Sequence, residues 1–298
     1  MDNSNNKEVT SYKQADWEID FYSRPVMEKN GKKRWELLIT TTEDLSGNKP
    51  FRWVKKCPAS NVNSLWLSEA FQEAILESNN QGWGRPLKLR CWRSSMKTMI
   101  RKASSSIDLE IVGSRRTYSL NEWISEREEE IYPNEEGYMN GPIAPPPSLI
   151  TNQPVPLPEN VRGDKWSLAS LQLGALREAQ EWPIEFGGLI PINKDFDDTI
   201  LIPGIRLFSQ NRSLALAGWL GGLEPVQLTL EGNKLLLEAG QEDRWLVTDL
   251  DSEAAKSIKQ EIDNTKINAG GLQFIAVQKS PEELKFSGFW MLRAIDLK

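Results

Sequence analysis

Arg93, Lys97 and Arg101 stand at i, i+4 and i+8 in a segment, residues 85–116, that also holds Arg85, Lys88, Arg90, Lys102, Arg115 and Arg116. Only Asp108 and Glu110 oppose them there. On a helix beginning by Arg93, that spacing lines the three cations along one face. Trp92 and Tyr118 sit near the ends of the segment. Cations for phosphates and rings for base stacking are the equipment of a surface that binds single-stranded nucleic acid. The bland alternative is a solvated helix face paired with acidic residues elsewhere in the chain.

Carboxylates offer a second chemistry. Asp20 and Glu36 fall on consecutive strand-like segments, Glu69 and Glu73 on a first helix, and Glu122 and Glu126 on a third. Clustered carboxylates can hold two divalent ions for phosphodiester hydrolysis. The fourth strand, however, brings Lys88, Arg90 and Arg93 where a further metal-binding carboxylate would be needed, and cations repel metals. Asp195-Phe196-Asp197-Asp198 lacks the glycine and the later glutamate of a calcium loop, so it reads as an acidic turn. Gly82-Trp83-Gly84 and Gly218-Trp219-Leu220-Gly221-Gly222 match neither a dinucleotide fingerprint nor a P-loop; the second reads as a tight turn or a bulge packed on Trp219.

The absence of histidine excludes histidine-based triads, general bases and metal sites. Two cysteines, Cys57 and Cys91, supply neither a thiolate zinc site nor a disulfide framework. No cofactor is implied. The N-terminal MDNSNNKEVTSYKQ has no apolar core and no arginine, and no apolar run approaches a membrane span, so the expectation is a protein without membrane insertion, cytoplasmic or, after removal of a leader, stromal.

The chain has 298 residues, enough for two domains. Its charge is unevenly distributed. Residues 24–116 hold 18 Lys and Arg against 9 Asp and Glu, a net of +9, and the remainder holds 18 against 33, a net of −15. Eight of the 17 prolines fall within 133–158, including Pro145-Pro146-Pro147. The expected layout is a disordered N-terminus (1–15), a basic domain (16–132), a proline-rich linker (133–160) and an acidic domain (161–298).

In the basic domain, Trp17, Ile19 and Phe21 alternate with polar residues at strand period, as do Trp35, Leu37 and Ile39 after a turn at Glu28–Gly31. Residues 51–56 make a third strand. Leu67, Ala70, Phe71, Ala74 and Ile75 trace a helix that Asn63 or Ser64 can cap. A strand at 87–92, a helix with Met96, Met99, Ile100, Ala103 and Ile107, a strand at 109–112 and a helix from Leu120 to Ile131 follow. This β-β-β-α-β-α-β-α order is that of the ribonuclease H-like fold. Trp17, Trp35 and Trp53 share the apolar phase and read as core. The acidic domain reads as β-rich α+β. It has a helix near 167–181, strands at 201–208, 214–219, 225–230, 234–239, 244–248, 272–278 and 286–294, and a helix near 252–265. The fold class is α+β throughout.

Several segments carry a family resemblance: Trp17–Pro25, Lys33–Leu38, Asn61–Trp66 and Ser114–Tyr118 in the first half. Ile202–Gly204, Leu216–Leu220, Gly222–Glu224, Gly271–Gln278 and Gly288–Leu292 do so in the second. Together they resemble the Tab-two-like family of cyanobacteria and chloroplasts, in order, over about residues 16–293. The resemblance implies a non-catalytic factor that binds A/U-rich untranslated regions and promotes translation of photosystem reaction-centre subunits, photosystem I above all. Its partners would be single-stranded RNA and proteins of translation or assembly. It also implies that Trp290, Met291 and Leu292 correspond to a C-terminal tripeptide associated with RNA binding, with methionine replacing a leucine. The RNA-binding residues expected are Arg90, Trp92, Arg93, Lys97, Arg101, Arg115, Arg116, Tyr118, Trp290, Met291 and Leu292. The alternatives are a metal-dependent or degenerate nuclease using Asp20 and Glu36, and a scaffold whose basic half docks on acidic protein.

Overall fold

A computed structural model describes residues 15–42, 45, 49–140, 152–158 and 162–295. The 1–15 segment, Ala15 apart, lies outside the described residues, as do parts of the proline-rich stretch. The contacts divide the chain into two units: Met1–Thr42, Lys49–Val112 and Glu122–Ala144 form the first, and Glu43–Asn48, Gly113–Asn121 and Pro145–Lys298 the second.

The first unit contains β1 (Trp17–Met27), β2 (Lys33–Thr41), β3 (Arg52–Cys57), α1 (Ser64–Asn80), β4 (Lys88–Cys91), α2 (Lys97–Ser105) and β5 (Glu110–Gly113). α3 (Tyr118–Glu126) follows, belonging to this unit from Glu122 onward, and runs into a π-helical turn at Arg127–Ile131. The sheet order is β3-β2-β1-β4-β5. β1 to β3 are antiparallel, and β4 returns parallel to β1 with Trp17 opposite Leu89. A crossover helix is what makes that parallel return possible. The mixed α/β layout and the topology expected from the element order are both present.

Strand alternation sends Trp17, Ile19, Phe21, Leu37 and Ile39 to one face, where Leu67, Ala70, Phe71, Ile100 and Ala103 of the two helices cover them. Trp35 and Trp53 pack at the margin of the same core. The Asn63 side chain accepts hydrogen bonds from Leu65 N (3.0 Å) and Trp66 N (2.9 Å), capping α1. Asn63→Ala is expected to cost about 1 kcal/mol, read as a lower urea midpoint with an unchanged slope.

The opposite sheet face is also covered. Glu18, Asp20, Arg24 and Glu36 are fully buried, so the alternation at β1 separates an apolar interior from a charged one rather than from water.

The second unit contains β6 (Val155–Pro156), β7 (Lys165–Gln172), α4 (Leu173–Arg177), β8 (Ile184–Gly188), β9 (Leu201–Phe208), α5 (Ser213–Leu223), β10 (Pro225–Glu231), β11 (Lys234–Ala239), β12 (Asp243–Asp249), α6 (Ser252–Asn268), β13 (Leu272–Gln278) and β14 (Phe286–Arg293). They form a β10-β11-β12-β6 sheet and a β7-β9-β13-β14-β8 sheet. Ile205, Leu207, Ile275, Val277, Trp290 and Leu292 of the larger sheet share one core with Leu228, Leu235 and Leu237 of the smaller, and with α5 and α6. The other face of the larger sheet buries Ile202, Phe274, Ala276, Phe289 and Met291.

Two sequence expectations are corrected here. Residues 167–172, read as the start of a helix, continue β7, which pairs antiparallel with β9 from Lys165–Phe208 to Gln172–Leu201; the helix proper is only α4. The ladder along β9 prevails over a local 3-4 spacing. Residues 214–219, read as a strand, lie in α5, and the Gly218–Gly222 stretch is its last turns rather than a turn or bulge. The run SLALAGWLGGL has no β-branched residue, which favours helix where periodicity is silent. β8 is not among the expected strands because Pro183 precedes it and Gly187 and Gly188 are its last two residues. Gly187 has φ +156°, and a Cβ there would stand 1.9 Å from Phe289 O.

The described pieces of the proline-rich stretch are docked. Met139 N donates to Pro25 O (2.8 Å) in the first unit. Val155–Pro156 pairs with β12, and Leu157 joins the second unit's core. No helix among the described residues is long and apolar enough to cross a membrane.

Candidate nucleic-acid interface

β1 and β2 project Asp20, Arg24 and Glu36 onto the covered charged face. Asp20 accepts from Arg93 Nε (2.7 Å) and Arg24 Nη2 (2.9 Å). Burial would push its carboxyl up, but Arg93 and Arg24 outweigh that and hold it below the usual carboxylate range. The Arg93 guanidinium lies 4.1 Å from the Tyr22 ring centroid and 4.0 Å from that of Trp92. Glu36 accepts from Arg34 Nη2 (2.7 Å), Arg127 Nη2 (3.0 Å) and the Tyr132 hydroxyl (2.8 Å). Burial, offset in part by Arg24, pushes the Tyr132 phenol up to about 12. Arg90 Nη1 stands 2.7 Å from Asp16.

The two carboxylates of the nuclease reading are thus in one cluster, each bound by guanidinium groups. A divalent ion would have to displace charge-assisted hydrogen bonds and approach fixed positive charge. The helix carboxylates are dispersed: Glu73 pairs with Lys55 (2.7 Å), Glu126 with Arg52 (2.6 Å), and Glu69 and Glu122 are exposed. Asp195–Asp198 is a turn in which Asp198 pairs with Arg177 (2.7 Å). No group of three or more His, Cys, Asp or Glu placed to hold a metal ion occurs among the described residues.

Of the expected RNA contacts, the structure turns Lys97 and Arg101 outward. α2 begins at Lys97 after a 3-10 turn over Ser94–Met96, so Arg93 precedes the helix and points inward, off the face that Lys97 and Arg101 share. Lys97 is half-buried, and Arg101 and Lys102 are exposed. Among the described residues, none of these three side chains makes a hydrogen bond or ion pair. Trp92, 4% exposed, presents one ring face to Arg93.

Arg115, Arg116 and Tyr118 belong to the second unit. Arg115 Nη1 pairs with Glu238 (2.7 Å). Arg116 donates to Pro225 O (3.0 Å) and Gly188 O (3.1 Å). The Tyr118 hydroxyl donates to Val226 O (2.7 Å) and accepts from Arg293 N (3.2 Å). Trp290, Met291 and Leu292 are buried in β14, the first and third facing one core and Met291 the other. The scaffold reading asks the arginines to pair with carboxylates of 117–298. Arg115 does so, whereas Arg90 and Arg93 pair within their own unit.

Sequence reasoning missed Arg24, Arg127 and Tyr132 as members of the buried network. The available signal was Arg24 itself, an even number of residues from Asp20 along one strand and so on its face. Lys102 and the carboxylate-free stretch from Ser78 to Ile107 were also legible.

Burial pushes the Cys91 thiol up to about 12, with Asp20 adding to it. Native protein at pH 8 is therefore expected to leave Cys91 unreacted with a thiol-disulfide reagent, and denatured protein to react fully.

The description "RNA-binding protein Tab2/Atab2 N terminal" matches residues 16–127, and that of the C-terminal domain matches residues 144–293. The "Protein TAB2 homolog, chloroplastic" of Zea mays is 32% identical over 290 residues, covering 93% of this chain and 71% of its own. Its Arabidopsis thaliana counterpart is 31% identical over 300 residues, covering 95% and 75%. No solved structure matches. With both halves matched in order and the relatives similar along nearly the whole length of this chain, the chain belongs to the family of the RNA-binding protein Tab2/Atab2.

Proposed function

We propose that this protein binds A/U-rich single-stranded RNA in untranslated regions of photosystem messages. There it promotes synthesis of reaction-centre subunits, photosystem I above all, without catalysing a reaction. The site of action in this reading is the cytoplasm of a cyanobacterial cell, with translation or assembly proteins as further partners. Membership of an RNA-binding family supports it. The observation that carries it in this chain is α2: Lys97, Arg101 and Lys102 turned outward in a stretch, 78–107, with no carboxylate to neutralise them. Arg90, Trp92 and Arg93 act here as positioning residues that hold the entry to α2. Arg115, Arg116, Tyr118, Trp290, Met291 and Leu292 act as supports of the second unit.

The test is fluorescence anisotropy of a labelled A/U-rich strand across a salt series, with a matched duplex as control. Tight, salt-sensitive binding that prefers the single strand is expected. Lys97→Glu with Arg101→Glu should weaken it at least tenfold near 0.1 M salt and flatten the salt slope. Unchanged affinity would remove this surface from the reading. RNA incubated with the protein and magnesium or manganese should stay intact, because arginines occupy Asp20 and Glu36. Cleavage by the parent that is lost in Asp20→Asn shown by circular dichroism to be folded would instead establish the nuclease.

A further inference from the structure

We propose that the outer face of α2 reads the phosphate backbone of RNA and none of its bases. This rests on the RNA-binding reading and specifies how that surface works. Three observations carry it.

The first is spacing. Lys97 and Arg101 lie four residues apart on the helix, about 6 Å along its axis. That step resembles the separation of successive phosphates in a strand. Lys102 stands in the adjacent row, four residues after Thr98. Ser94, Ser95 and Thr98 are exposed beside them, and hydroxyls are common partners of phosphate oxygens.

The second is the lack of an open ring. α2 contains no aromatic residue. Trp92 is buried with the Arg93 guanidinium against it, and Trp83 is 9% exposed in the apolar core. Base stacking needs an accessible ring face, and among the described residues α2 and its entry offer none.

The third is local electrostatics. Lys97 occupies the first position of α2, at the positive end of the helix dipole, with no acidic residue in the first turn. Lys97 and Arg101 repel each other at i, i+4. Both placements disfavour the free helix, and a bound polyanion relieves both.

A preference for A/U-rich RNA then needs no base contact at this face. Segments of weak pairing are the ones available as flexible single strands.

The experiment compares the full-length protein with its Lys97→Gln/Arg101→Gln/Lys102→Gln variant on three strands of equal phosphate number: A/U-rich, unstructured C/A-repeat, and abasic. Circular dichroism confirms folding of the variant. The readout is the ratio of variant to parent Kd on each strand, a coupling test that cancels contacts made elsewhere. The expected result is the same ratio, within about twofold, on all three strands. The variant's salt slope should be shallower by about 2, three phosphates at about 0.7 each for single strands. A ratio falling towards one on the abasic strand would mean that the ridge touches bases; the proposal is then overturned while RNA binding stands. An unchanged slope in the folded variant would overturn it too. Binding of no strand at low salt would overturn the RNA-binding reading and this proposal with it. Binding to anionic lipid vesicles but to no strand would reassign the ridge to a membrane surface.

Discussion

Asp20→Asn is expected to cost the first unit about 3–5 kcal/mol, the range for removing one partner of a buried ion pair. The asparagine keeps the volume and loses the charge. Arg24, fully buried, and Arg93, 7% exposed, would then face each other's positive charge with only a neutral amide between them. Neither guanidinium can shed its proton to escape. Equilibrium urea unfolding, read by near-ultraviolet circular dichroism, would measure the loss. A change under about 1 kcal/mol would show that the network is not held as described.

The same carboxyl sets an acid limit on stability. Its folded pKa lies below the unfolded value, so its contribution is present above the unfolded pKa and is lost as pH falls through the folded one. Glu135 shifts in the same direction, chiefly through its hydrogen bond from Arg34. Stability of the parent should fall on acidification below the ordinary carboxylate range. Asp20→Asn should show a flatter profile there, because the group that titrates is gone.

Trp290→Ala is expected to cost the second unit about 3–5 kcal/mol, and Leu292→Ala about 2–5 kcal/mol. Trp290 is 4% exposed and Leu292 not at all. The Trp290 ring lies over Gly288, where an added Cβ would meet it at 2.6 Å, and 3.6 Å from the Cβ position of Gly221 on α5. Truncation therefore opens a cavity bounded by β14 and α5. Thermal melts give the size of the loss. Anisotropy at low temperature, on protein that is still folded, separates support from contact: RNA affinity within about twofold of the parent is expected. A tenfold loss in folded Trp290→Ala would mean that this strand touches RNA.

Much of the fold was legible because local rules and tertiary context agree. Alternation at Trp17–Phe21 and Trp35–Ile39, the Asn63 cap before Leu67–Ile75, and the turn at Glu28–Gly31 all describe what the chain does. They fail where one apolar pattern suits two structures. Residues 214–219 and 167–172 are read correctly only once β9 and its neighbours exist to pair with or to cover them.

By itself, the sequence determined the β-β-β-α-β-α-β-α order, the net positive balance of residues 24–116 against an acidic remainder, the absence of histidine chemistry and the family. Which arginines face water was decided by the tertiary structure alone. Arg90, Arg93, Lys97, Arg101 and Arg115 look alike in a list of basic residues. Asp20, placed by β1 opposite the end of β4, draws Arg93 inward, and Glu238 on β11 draws Arg115. Lys97, Arg101 and Lys102 are left facing outward because α2 buries Ile100, Ala103 and Ser104 and packs Met99 against the core. A charge near a buried opposite charge is worth far more than one near water, and only the fold says where that opposite charge lies.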